Sequence, residues 1–346
     1  MLSTRRELTV IEPARSPGTD PRAATLRAVV VLAAAGALLG LRVLSDPGWT
    51  AWLPDAARDF VTLSASVFIE SLPFVFLGIA ISVLVQVWVP DSVWQRYLPR
   101  NQVARRLVLS LLGVLFPVCE CGNVPLARGL MLRGVDVGGA LTFLLAAPIL
   151  NPVTIITTYQ AFGWQDGILA GRILGAFVIA NLVGWVFSRH PDPGSLLTPR
   201  FEDSCHTGPD LTAGRAVRSA RLFAQETTTM LPALIAGSAM AGAIQVGVPR
   251  ALLVELGGNP VLSVLVLMAL AFVVSVCSNV DAFFILAFAA TFSPGGIVAF
   301  LVFGAMIDIK MLALLRTTFT TRALALIAGL VGLCALVLGM GMNLAL

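Results

Sequence analysis

The sequence predicts an all-α polytopic membrane protein made of two inverted-topology repeats, with about seven spanning helices and two re-entrant, broken helical hairpins. Three observations lead there. Of 346 residues, 57% are hydrophobic and only 12% charged, whereas a soluble domain carries roughly 25% charged residues; lipid must replace water over much of such a surface. Apolar runs long enough to span a bilayer recur along the chain. Two further apolar regions are interrupted by polar, cysteine-bearing stretches at corresponding places in the two halves.

The elements follow in order. Residues 1–24 are polar and carry Pro13, Pro17 and Pro21, as a disordered cytoplasmic tail would. The apolar run 25–44 is too long, and starts too late, for a simple cleaved signal peptide; it reads as an uncleaved first span, followed by an external loop to residue 59. Repeat 1 covers 60–188, a polar cytoplasmic linker 189–221, and repeat 2 covers 222–346. Further full-length spans are expected at 60–89, 138–160, 167–188, 222–246, 296–315 and 323–345. The broken regions are 107–132, interrupted by FPVCECGNVP, and 261–292, interrupted by SVCSNVDA.

The repeat rests on matches in the same order in both halves. Leu72-Pro73 followed by QVWVP at 86–90 corresponds to Leu231-Pro232 followed by QVGVP at 245–249. CGNVP at 121–125 corresponds to CSNVD at 277–281, and GGALTFLLAAPILNP from 138 to GGIVAFLVFGAMIDI from 295. The last match sets Asn151 against Asp308. Loop charge then orients the halves. With Arg5, Arg6, Arg15, Arg22 and Arg27 placed inside, the basic loop 90–106 falls inside, and the basic loop 189–221 does so only if the first broken segment returns to its own side; the second, treated alike, puts Lys310, Arg316 and Arg322 on or near the inside. The hairpins then enter from opposite faces. That makes the protein multi-pass with a cytoplasmic N-terminus.

Composition also excludes classes. The net charge of +4 fits basic cytoplasmic loops, and no arginine-rich helix with interleaved aromatics suggests nucleic acid. Five cysteines, Cys119, Cys121, Cys205, Cys277 and Cys334, are an odd number, unlike a disulfide framework. No GxxxxGK[ST] loop is present, so the chain is expected to be a transporter without its own nucleotide hydrolysis, not an enzyme, and no cofactor is expected.

The breaks carry the candidate site. Non-helical backbone at membrane depth is tolerated where it is buried in protein or lines a wet cavity, and paired interrupted segments point to a transporter's binding site. Pro117 disrupts the first helix, Gly122 permits unusual dihedrals, and Pro125 suits the start of the second half-helix. Cys119, Cys121 and Cys277 are soft ligands suited to a thiophilic metalloid or metal; the alternative is that each is a small buried hydrophobe. Asn123, Asn279 and Asn151, the last between Pro148 and Pro152 at an expected kink, either coordinate solute or only cap half-helices. Asp281, Asp308 and Glu120 are intramembrane acids, costly and therefore functional candidates for proton coupling. Arg128 and Lys310 pair with such acids or snorkel to the cytoplasmic face; Glu70 and Glu226 lie near the starts of equivalent helices. Cys205 and His206 read as a solvated loop pair, or else as an accessory metal contact.

FPVCECGNVPLARGL, followed by GGALTFLLAAPILNPVT, resembles the bacterial predicted permease family that includes the trivalent organoarsenical efflux permeases. The CxCGxxP run (Cys119 to Pro125) and the APxxNP run (Ala147 to Pro152) carry the resemblance, which covers roughly 60–345. It implies an inner-membrane permease, exporting, with a methylated As(III) species bound by cysteine thiols. The other readings are a non-catalytic membrane subunit for metal or metalloid handling with a partner protein, and a membrane thiol oxidoreductase using Cys119 and Cys121. Expected partners are the lipid bilayer and a small soft solute or metalloid, with a homo-oligomer or an accessory membrane subunit left open.

Overall fold

A computed structural model describes residues 54–90, 98–99, 101–115, 118–206, 214–247, 260–289 and 291–345. The tail 1–24, the expected first span 25–44 and Pro117 lie outside the described residues. Within them the protein is an all-α polytopic membrane protein. Its ordered elements are helices and short 3-10 turns, plus one isolated antiparallel bridge between Leu197 and Phe319. Five stretches are long and apolar enough to cross a membrane: Asp55–Trp88, Gln165–Ser188, Arg215–Gly247, Pro294–Leu315 and Thr321–Ala345.

The first half runs α1 (Asp55–Trp88), α2 (Gln102–Leu111), α3 (Glu120–Leu132), α4 (Val137–Ala146), α5 (Pro152–Phe162) and α6 (Ile168–Ser188). A short α7 (Pro199–His206) follows. The second half runs α8 (Arg215–Gly247), α9 (Pro260–Val274), α10 (Asp281–Leu286), α11 (Pro294–Met306), α12 (Ile309–Leu315) and α13 (Thr321–Ala345). The expected continuous span 138–160 is instead discontinuous. Helix α4 ends at Ala146, and α5 restarts at Pro152 after Asn151 caps it. Pro148 and Pro152 withhold the N–H groups that would carry a helix through. The span expected at 296–315 is likewise divided, by extended backbone at Ile307 and Asp308.

The same parts occur twice. Helices α2, α4 and α6 pack on one another, as do α9, α11 and α13, and the long helices α1 and α8 lie side by side. Helix α4 starts with the Asp136 side chain accepting from Gly139 N, and α11 with Ser293 accepting from Gly296 N. The following crossings are equally close. A Cβ on Gly138 would lie 2.5 Å from Gly184 O, and one on Gly295 would lie 2.0 Å from Gly339 O. Only glycine allows helix backbones to approach so far, the small-residue device of membrane helix packing.

Two sequence expectations need correction. Pro125 does not open the half-helix: α3 begins at Glu120 with Cys119 as its N-cap, and Pro125 sits inside it. Its carbonyl accepts a hydrogen bond from Ser82 Oγ at 2.8 Å. Gly122 is an ordinary helical residue and is not among the glycines with positive φ. It is needed for space, because its Cβ would lie 2.5 Å from Phe74 O of α1. The region 189–221 is also less of a free linker than its polarity suggests. Leu196, Leu197 and Phe201 are buried. Thr198 N donates to Thr318 O at 2.8 Å and Thr320 N to Leu196 O at 2.9 Å, which ties this segment to the turn before α13.

Candidate functional site

Four half-helices, α3, α5, α10 and α12, begin at interruptions in the apolar segments, and side-chain bonds draw these interruptions together. Asn123 Nδ2 and Asn151 Nδ2 both donate to Val118 O at 3.4 Å. Thr154 Oγ1, in α5, donates to Asn279 Oδ1 at 3.1 Å. Ser278 donates to Glu120 Oε2 through its hydroxyl at 3.1 Å and its backbone N–H at 3.4 Å. Helix α3 packs on α12, and α10 on α5, so each half supplies the neighbour of the other's break. The N-terminal end of each half-helix carries partial positive charge, which favours the carboxylates placed there.

The paired positions of the repeat do the same job. Asn151 caps α5 by accepting from Val153 N, and Asp308 caps α12 by accepting from Met311 N. Both side chains are fully buried. Asn123 Oδ1 and Asp308 Oδ2 are buried without a hydrogen-bond partner. Native interiors hold few such atoms, so the two mark places where a donor or a cation would be welcome.

Thiols line the same place. Cys119 and Cys277, from opposite halves, lie with Glu120 so that their ligand atoms are all within 4.8 Å of one another. Cys121 is not in that close trio, though its thiol faces Glu120 Oε1 at 4.0 Å. Glu120 completes the close trio in place of the third cysteine. Cys334 sits part-buried in α13 and belongs to no such group among the described residues.

Three buried cations, Lys310, Arg128 and Arg172, are held in ion pairs. Lys310 Nζ lies 3.2 Å from Glu120 Oε1 and 3.9 Å from Asp308 Oδ2, and donates to Ser275 O at 3.3 Å. Ser275 has φ +51, the left-handed region a non-glycine residue avoids, and so turns its carbonyl to the lysine at the second break. Arg128 pairs with Glu226 at 3.0 Å, donates to Thr318 Oγ1 at 2.9 Å and stacks over Phe201. Of the alternatives left by the sequence, Arg128 and Lys310 therefore take pairing. Glu70 is exposed on α1.

Arg172 is the residue the sequence reading missed. It is 1% exposed and grips Asp281 with two bonds, 2.6 and 2.9 Å, while donating to Thr158 Oγ1 at 2.7 Å. A signal existed: it is an arginine one turn inside an otherwise apolar span, and charge at such depth is seldom idle. Outside the spans, Cys205 is half-buried against the core. Burial pushes its thiol up, against the opposing pull of Arg128. The side chain of His206 lies outside the described residues.

Discontinuous apolar helices, converging half-helix ends and buried intramembrane charges define a multi-pass membrane permease. The chain belongs to the predicted permease family, whose family model matches residues 56–344. It is 37% identical over 270 residues to the protein YcgR of Bacillus subtilis, covering 77% of this chain and 92% of that protein. It is 34% identical over 274 residues to a Streptococcus mutans protein named a putative two-component membrane permease complex subunit, covering 78% and 90%. A shorter match, 28% over 145 residues, covers 42% of this chain and 40% of the Escherichia coli protein YraQ. No solved structure matches.

Proposed function

We propose that this permease exports a soft, thiophilic solute across the bacterial inner membrane, such as a trivalent organoarsenical or a soft metal ion. In this reading the solute binds between the helix breaks near the bilayer midplane, and access alternates as the two inverted repeats rock against each other. The observation that carries it is the trio of Cys119, Glu120 and Cys277, buried and mutually within 4.8 Å. Thiols from two separate breaks meet there, as a ligand-exchange site for a soft species requires. Asn123, Asn151 and Asn279 line the same breaks. Glu120, Asp281 and Asp308 are the acids available to couple transport to a proton.

The test is resistance and cell content for methylated As(III), inorganic As(III) and Zn(II) in a metalloid-sensitive bacterial strain. The wild type is expected to raise tolerance and lower accumulation of one of them. Cys119→Ser and Cys277→Ser should abolish this while still reaching the membrane. If the wild type changes nothing for all three, the soft-solute export reading fails.

A second reading is supported by the name of the Streptococcus mutans relative: this chain acts as one subunit of a two-component membrane complex. It predicts that export is lost in a host lacking the partner and restored by co-expression of it.

A further inference from the structure

The reading above leaves Lys310 without a task. Its side chain is 1% exposed and enters the cysteine cluster from the first turn of α12. An ammonium taken this far from water is held only by carboxylates and carbonyls. Here they are Glu120 at 3.2 Å, Ser275 O at 3.3 Å and Asp308 at 3.9 Å. Two features make it more than a structural ion pair. The carboxylate it holds is the one that lies within 4.8 Å of both Cys119 and Cys277 at their ligand atoms. And Asp308 Oδ2, fully buried and without a hydrogen-bond partner, faces the ammonium across a gap too long for a hydrogen bond. One ammonium thus stands between two carboxylates, bonded to the first and only near the second.

We infer that Lys310 is a tethered surrogate cation: it occupies the carboxylate arm of a two-sulfur, one-oxygen site made by Cys119, Cys277 and Glu120, and yields that arm to a soft divalent cation by moving to Asp308. The inference rests on the soft-solute reading and narrows its cargo to cations that take two thiolates and one carboxylate. The exchange balances. Two metal–sulfur bonds and one metal–oxygen bond form, two thiol protons leave to solvent, and the Lys310–Glu120 bond is replaced by one to Asp308. With both carboxylates ionised, the site carries one net negative charge before and after.

The same arrangement explains selectivity. A hard cation gains little from sulfur, so it must displace the ammonium for the carboxylate alone and is refused. A soft cation gains two thiolate bonds that the ammonium cannot match.

The test is titration of purified, membrane-reconstituted protein with Cd2+, followed by the ultraviolet thiolate–cadmium charge-transfer band. Close charge pairs at interfaces couple strongly enough that Lys310→Met is expected to bind Cd2+ roughly tenfold more tightly than wild type, or better. Lys310→Arg, which keeps a tethered cation, should bind no more tightly than wild type, and Glu120→Gln should bind more weakly. Cd2+ binding by Lys310→Met that is equal to or weaker than that of wild type overturns the inference. Should Lys310→Met fail to stay monodisperse, Asp308→Asn carries the test. Asparagine keeps the helix cap but removes the resting place for Lys310, so Cd2+ binding should weaken; unchanged binding overturns the inference. Wild type that binds no Cd2+ overturns both this inference and the soft-metal part of the function. Wild type that binds Cd2+ without tightening in Lys310→Met overturns this inference alone.

Discussion

Arg172 and Asp281, one from each half of the chain, form a two-pronged ion pair with bonds of 2.6 and 2.9 Å. Both are nearly without solvent exposure. Breaking a buried pair from one side leaves the other charge unmatched, at a cost of about 3–5 kcal/mol. Arg172→Met or Asp281→Asn should each lower the unfolding midpoint in detergent substantially. The double variant should recover part of the loss, because no lone charge remains. A double variant as unstable as the summed singles would show that the pair is not coupled.

The glycine crossings should be intolerant of a single methyl group. At Gly295 an added Cβ would lie 2.0 Å from Gly339 O, and overpacking costs about 1–3 kcal/mol. Gly295→Ala and Gly184→Ala should both lower thermal stability. Gly341, in the same helix as Gly339, has open space around it. Gly341→Ala should be neutral or stabilising by up to about 1 kcal/mol, through helix propensity alone.

The two caps after the second breaks should behave alike. Losing a side-chain cap costs about 1 kcal/mol. Asn151→Ala and Asp308→Ala should therefore each destabilise, with Asp308→Asn milder because asparagine also caps well. Hydrogen exchange of the first turns of α5 and α12 would report the change locally.

Ser275 holds a left-handed φ of +51 at a cost of order 1 kcal/mol. Ser275→Gly should be tolerated or slightly stabilising. Ser275→Val, β-branched, should destabilise and loosen the lysine that its carbonyl holds. Equal melting temperatures for the two variants would count against strain at this position.

Cys205 offers a pH readout outside the spans. Its thiol is raised above its ordinary value of 9.0 by burial, so at neutral pH less of it is thiolate than in a free cysteine. Alkylation by a maleimide should be slower than that of the unfolded chain near neutral pH and accelerate as pH climbs past 9. The sign for stability follows: the folded state holds this proton more tightly. Its contribution is present below the unfolded value and lost as pH rises through the folded one.

Much of the fold was legible because its signals are local. Asn151 and Asp308 aligned in the repeat, and each caps a half-helix. The glycine pairs GG at 138 and at 295 aligned, and each opens a helix that crosses another through glycine. Span positions at 60–89, 167–188, 222–246 and 323–345 match helices because twenty apolar residues have few other fates in lipid. The division of 138–160 was only half seen: the two prolines were read as a kink, whereas they end one helix and start another. Pro125 and Gly122 misled because each residue's usual role, opening a helix or bending the chain, gave way here to contact with α1.

Composition, hydropathy and the repeated cap-and-glycine chemistry, all properties of neighbours in the chain, by themselves determined an all-α polytopic membrane protein with paired interruptions bearing Cys119, Cys121 and Cys277. Tertiary structure alone decided who meets whom. It brought Glu120 into the close trio with Cys119 and Cys277, gave Lys310 to Glu120, and gave Asp281 to Arg172. Those choices depend on the distance between segments far apart in sequence, set by close helix packing, and no local pattern of residues encodes that distance.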